Sequence, residues 1–193
     1  HKKFARVSAA FDEKPVAASA QLSISEDPGF KRSEVFDNKV AQFRYGTGEV
    51  KVVFVEMLDN HGEDMMFVEF NQDVKVKVYF EAYSEKTVSV NLSVFDDKKN
   101  NILGCGFPHV DQPYLLTRDG AKYMAEYSLK LPLQEGIYSL RINISSPIIE
   151  NESAEFVDLV NDALVFRVGR WEKSRVWSKV HAFSQLKLHE FEV

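Results

Sequence analysis

One cysteine, Cys105, is all the chain has, and a single thiol excludes an internal disulfide. Such sparing use fits a reducing compartment. Long apolar runs are missing too. None approaches the roughly 20 residues that a membrane-spanning helix needs, and no secretory signal pattern opens the chain. Charge of either sign never forms a block: 24 Lys and Arg are interspersed among 29 Asp and Glu, for a formal net charge of −5. That excludes an extended basic surface, so nucleic acid and anionic membrane are not expected partners.

The elements of catalysis and metal binding are equally scarce. The five histidines stand at positions 1, 61, 109, 181 and 189, none at metal-ligand spacing with Cys105 or a second histidine. Asp111 follows His109 by two residues, but no nucleophile motif accompanies the pair, and it reads as a loop. Asp96–Asp97 and Glu63–Asp64 lie in turns, where carboxylates cap and solvate. The sequons at Asn91, Asn143 and Asn151 read as chance, since two of them fall inside apparent strands. No cofactor, no metal and no enzymatic activity are expected.

What is present is a strand-forming texture. RYGTGEVKVVFVEML, Arg44 to Leu58, sets Gly46 and Gly48 before a β-branched run. Glycine there suits a sharp turn or a close backbone approach. The phosphate-binding loops demand more, either GxxxxGK[ST] or a third glycine opening a helix, and neither follows. VKVKVYFEAY sends Val74, Val76, Val78, Phe80 and Ala82 to one face, and Lys75, Lys77, Tyr79, Glu81 and Tyr83 to the other. KTVSVNLSVF does the same with Val88, Val90, Leu92 and Val94 inside. AKYMAEYSLKL and IYSLRINIS repeat the alternation, and ALVFRV closes the series. About eight short strands separated by turns predict an all-β fold, an immunoglobulin-like antiparallel β-sandwich. A helical turn is expected near Ala154–Val160, before the last core strand.

Two flanks differ in composition. Residues 1–39, broken by Pro15, Pro28 and Gly29, read as a short helix around Phe4–Phe11 and then a connector from an upstream domain; a first residue His1 in place of Met suits an excised piece. Residues 169–193 carry Trp171, Trp177, Phe183 and Phe191 and predict an additional C-terminal strand beyond the sandwich of residues 40–168. A strand added after a finished sheet must pair with an exposed edge, and such edges recruit second chains, so a homodimer through this extension is expected.

The outward residues Ser89, Asn91 and Ser93, with Arg141 and Asn143, fall on strands that neighbour one another in an ordinary sandwich. They predict a polar platform suited to a sugar: amides and guanidinium match hydroxyls, and an aromatic at the margin stacks on the ring. Phe107, His109 and Trp177, with Trp171 beside them, supply that margin. Replacing Asn91, Arg141 and Asn143 is expected to cost little stability, within ~0.5 kcal/mol for surface sites. Lys75, Lys77 and Tyr79 form a second platform on the opposite sheet.

The opening stretch resembles the entry signature of the C-terminal domain of Wzt-type proteins, the ATP-binding subunits of O-antigen ABC exporters. The matching residues are Arg44, Tyr45, Gly46, Thr47, Gly48, Val50 and Val52, running to Leu58–Asp59. YFEAY at Tyr79–Tyr83, GIYSLRINI at Gly136–Ile144 and DALVFRV at Asp162–Val168 extend the resemblance in order along the chain. It implies a non-catalytic carbohydrate-binding module for O-polysaccharide, often for its modified non-reducing end. The implied partners are an upstream ATPase domain and a transporter membrane subunit, at the cytoplasmic face of the bacterial inner membrane. A protein-interaction or dimerisation domain of the same subunit is the other reading.

Overall fold

The computed structural model describes residues 29–150 and 152–189, so the helix expected around Phe4–Phe11 lies outside the described residues. Ten strands occur among them: β1 Arg44–Tyr45, β2 Val50–Leu58, β3 Phe67–Val68, β4 Asp73–Ala82, β5 Thr87–Asp96, β6 Asn101–Gly106, β7 Leu115–Leu116, β8 Lys122–Lys130, β9 Gly136–Ile149 and β10 Ser153–Val168. They build an antiparallel sandwich. One sheet runs β1-β10-β9-β5-β6, with β3 added to β10 and β7 to β5; the other runs β2-β4-β8. Only the short β3–β10 pairing is parallel.

Side-chain alternation explains the core. Val74, Val76, Val78, Phe80 and Ala82 of β4 face Val88, Val90, Leu92 and Val94 of β5, each at most 1 % exposed. Leu140, Ile142 and Ile144 of β9 join the same cluster. Each such aliphatic side chain contributes roughly 1.5–3 kcal/mol by leaving water.

The helical turn expected near Ala154–Val160 is instead extended chain in β10. Irregularities between Phe156 and Asp158 and between Val160 and Leu164 shift the register against β9. The first inserts one residue, which reverses the alternation, and the second inserts two, leaving an apolar pattern that no longer has period two.

The segment read as connector takes part in the fold from Phe30 onward. Helix α1, Glu34–Val40, is capped by Ser33, whose hydroxyl accepts from the Phe36 amide at 3.1 Å, and it buries Phe36 and Val40 in the core. The chain before it lies over the outer face of the three-stranded sheet. Phe30 meets Tyr79 edge-on at 5.7 Å, and both Lys31 Nζ and the Tyr79 hydroxyl donate to buried Glu56, at 2.6 and 2.7 Å. Tyr79, expected to face outward, is therefore buried, and burial together with Glu56 pushes its phenol well above the usual range. Lys75 and Lys77 remain at the surface near Glu126.

The glycine pair is a fold device. Gly46 has φ 142°, and a Cβ there would stand 2.4 Å from the Val157 carbonyl oxygen. The Thr47 and Gly48 amides donate to the Phe156 and Val157 carbonyls at 3.2 and 2.9 Å, pinning the turn to β10. Arg44 completes the arrangement. Its Nε lies 2.9 Å from Asp158 Oδ1, its Nη2 donates to the Val52 carbonyl, and Asp158 Oδ2 accepts from the Val52 amide at 2.7 Å. The register of β2 against β4 breaks directly after Val52. Arg44 and Asp158 thus satisfy the main-chain groups that the bulge takes out of the ladder.

The expected additional C-terminal strand is reduced to one antiparallel bridge, Leu133↔Val180. The described part of residues 169–193 folds back on its own chain. The Gln134 amide donates to Lys179 O at 3.0 Å, the His181 amide to Pro132 O at 2.8 Å, and Gln134 Nε2 to Val176 O at 2.9 Å. Trp171 stacks on Phe70 at 4.5 Å, with His181 and Phe183 closing the aromatic group.

Lys179 Nζ also reaches Asp96 Oδ2 at 3.3 Å. Burial alone would raise the Asp96 carboxyl, but hydrogen bonds from Asn100 and Lys179 outweigh it and hold the group at about 2. A depressed carboxylate contributes stability that is complete above its ordinary value and is lost as pH falls toward the folded one. The melting temperature of the native chain should therefore fall between pH 4 and about 2 by more than that of Asp96→Asn. Parallel profiles would show that Asp96 does not anchor the C-terminal segment.

Candidate functional site

The outer face of the seven-stranded sheet brings together most of the expected platform. Ser89 pairs with Ser145, Asn91 with Asn143, and Ser93 with Arg141 across β5 and β9. Their use differs from the expectation. Ser89 is buried, 2 % exposed, and donates to Asn91 Oδ1 at 3.1 Å. Asn91 Nδ2 donates to the Asn143 carbonyl at 3.1 Å and to Ser145 Oγ at 2.9 Å. Asn91 also leans over Gly106 of β6, where a Cβ would stand 2.0 Å from its Oδ1.

That amide is consumed within the sheet. Asn91→Ala should accordingly lower the unfolding free energy by about 1–2 kcal/mol, more than an ordinary surface change, because it removes bonds to a main-chain carbonyl and a hydroxyl. Denaturant unfolding measures it, and a loss below ~0.5 kcal/mol would return Asn91 to the class of free surface residues.

The margin residues separate. Phe107 opens a 3₁₀ turn, Phe107–Val110, and its ring joins the core cluster, so it cannot stack on a ligand. Alternation along β6 ends at Gly106, and the turn swings the ring inward. His109 stays exposed in that turn. Trp177 is 79 % exposed, with the Arg175 guanidinium carbon 4.4 Å from its ring centre. Trp171 is engaged with Phe70.

Arg141 defines a better-formed feature one step along the same face. A shallow cavity of about 200 Å³ is lined by Phe95, Lys99, Ser139, Arg141, Asn161 and Asp162. The Arg141 guanidinium carbon sits 3.9 Å from the centre of the Phe95 ring, and its Nε donates to Asn161 Oδ1 at 2.6 Å. Lys99 Nζ donates to both oxygens of Asp162, at 2.6 and 2.8 Å. Burial would raise the Asp162 carboxyl, but Lys99 and Ser139, with the charge of Lys39, hold it below its ordinary range. Both acceptors and donors thus surround an aromatic ring.

Of these residues only Arg141 was anticipated. Phe95 follows Ser93 on the outward face of β5, opposite Ser139 in an unbroken register with β9, and Asp162 has φ 49° in the β10 bulge. The adjacent apolar pair Val94–Phe95 and the polar pair Asn161–Asp162 inside an apolar strand were the available signals. A larger, more open hollow of about 480 Å³ on the other sheet is lined by Asn60, Asp73, Val74, Lys75, Ser128, Leu129 and Lys130. It lacks an aromatic side chain.

Two sheets packed face to face, with a polar outer face on one of them, define an immunoglobulin-like β-sandwich. The crystal structure of the C-terminal domain of Wzt superposes with a TM-score of 0.68 at 17% identity, covering 76% of this chain and 87% of that one. A Niemann-Pick type C2 protein from Japanese carpenter ant covers 64% of this chain and 96% of its own, at 8% identity and a TM-score of 0.47. No curated protein sequence matches the chain. The model of the Wzt C-terminal domain family matches residues 41–181, and the chain belongs to that family. Membership gives it a role in the O-antigen ABC transporter.

Proposed function

We propose that this domain is a non-catalytic module that binds O-polysaccharide, at its modified non-reducing end, and confers cargo specificity on the exporter. The reading rests on one observation above others: the cavity on the outer sheet face, where Arg141 lies against Phe95 between Ser139 and Asn161. Sugars are held by a few convergent polar groups beside an apolar surface, and this cavity offers both. An upstream ATPase domain and the transporter membrane subunit are its partners, at the cytoplasmic face of the inner membrane. Pull-down of the domain with purified O-polysaccharides tests the reading. Retention of one serotype and not others supports it; retention of none, or sugar release from the glycan, overturns it.

A homodimer through the C-terminal extension is proposed beside it. Leu186 and Leu188 are 89 % and 90 % exposed, and Phe183 is 61 % exposed, an apolar end that a second chain would cover. Removing the residues after His181 leaves the bridge to Leu133 intact. Sedimentation should show a dimer for the full chain and a monomer for the shortened one. A monomeric full chain at micromolar concentration, or a shortened chain still dimeric, excludes this contact.

A further inference from the structure

The cavity on the outer face carries a charge preference as well as a shape. Among the described residues, no carboxylate lies within ion-pair distance of Arg141; its Nε is bound to Asn161, and no hydrogen bond from its Nη atoms occurs. The guanidinium is nonetheless fixed, held by the Phe95 ring on one side and by Asn161 on the other. A fixed planar fork with free donors is the group that recognises a two-oxygen anion, because it gives up little freedom when the anion binds.

The surroundings favour an anion too. The charges of Lys99 and Lys39 bear on Asp162, so with Arg141 three cations share this region with one carboxylate. The chain as a whole carries −5, which makes the region a local reversal of sign. Of the two cations that line the cavity, Lys99 is already neutralised by both oxygens of Asp162, which leaves Arg141 uncommitted. One free guanidinium edge balances the single charge of a carboxylate. A doubly charged phosphate would require a second free cation in the lining, and Lys39 lies outside it.

We infer that the cavity takes the carboxylate of an acidic sugar, a hexuronate residue of the glycan, on the Nη edge of Arg141. The Phe95 ring, Ser139 and Asn161 flank the sugar that carries it. This inference rests on the carbohydrate-binding reading above and narrows it to one class of sugar.

The test is a titration followed by the ¹⁵N resonances of Arg141 Nε and the Asn161 amide. The probes are methyl glucuronide and methyl galacturonide, the neutral methyl glucoside and galactoside, and glucose 6-phosphate. One or both uronides should shift both resonances, at affinities about tenfold or more above the neutral glycosides, and the response should vanish in a folded Arg141→Gln chain. Loss of binding with added salt should be steeper for the uronides. Equal affinity for acidic and neutral glycosides would overturn the charge preference while leaving the carbohydrate reading intact. Tighter binding of the phosphate would overturn the carboxylate in favour of a phosphoester. If no probe binds here while O-polysaccharide is still retained by the domain, this cavity is not the site. If the polysaccharide is not retained either, both readings fall.

Discussion

Asp158→Ala should cost about 3–5 kcal/mol of unfolding free energy, the range for removing one partner of a buried ion pair. The carboxylate is 2 % exposed and serves both Arg44 and the Val52 amide. Without it, Arg44 keeps its charge in a site 17 % exposed, and Val52 keeps an unpaired donor at the β2 bulge. Burial raises the Asp158 carboxyl despite Arg44 and the Val52 amide, so the pair itself contributes little net stability. The sign follows from linkage. A carboxyl raised on folding binds protons more tightly in the native state, so stability from this group declines as pH rises from its ordinary value through the raised one. The predicted loss therefore comes from breaking the pair. Arg44→Met combined with Asp158→Leu should recover much of it, and chemical denaturation of the three variants decides. A single-variant loss below ~1 kcal/mol would mean that water or main-chain shifts satisfy Val52 instead.

Arg141→Ala should weaken O-polysaccharide binding by about tenfold or more, as expected for losing hydrogen bonds from a charged donor, worth ~1.5–3 kcal/mol. Stability should move far less. The Phe95 contact of Arg141 is partly exposed, and such contacts are worth about 0.5–1 kcal/mol. Asn161→Ala should give a smaller loss, because Asn161 holds the guanidinium through Nε and leaves the Nη edge in place. Calorimetric titration beside thermal unfolding separates binding from folding. An Arg141→Ala chain that binds as the native one does removes this cavity from the site, and the hollow at Lys75 and Lys130 becomes the next candidate.

Alternation made β4, β5 and β9 legible, because an uninterrupted strand with one buried face must repeat with period two. It also put Asn91, Ser93, Arg141 and Asn143 on one outward face, whereas their register, Asn91 opposite Asn143 and Ser93 opposite Arg141, needed the paired strands. Bulges defeated the same rule. Asp162 reaches the cavity only because the register slips beside it, and the strand through Ala154–Val160 loses its period for the same reason. Phe95 follows the outward alternation of β5, but its apolar ring disguised it as a core residue. Tertiary cover was invisible as well. Nothing local to Tyr79 or Glu56 announces that Phe30 and Lys31 return to lie over them. Phe107 was misplaced because a 3₁₀ turn points its ring inward at the end of β6. Arg44 and the two glycines were recognisable as a motif, but their physical task, satisfying Val52 and seating the turn on Val157, needed β10 in place.

Resonance mapping of the intact domain during titration with the O-polysaccharide it retains tests the central claim most directly. Perturbations should concentrate on Ser139, Arg141, Asn161 and their neighbours in β5, β9 and β10, the lining of the cavity on the seven-stranded sheet. Perturbations confined to Lys75, Ser128 and Lys130 on the three-stranded sheet, with Arg141 unmoved at saturation, would contradict it.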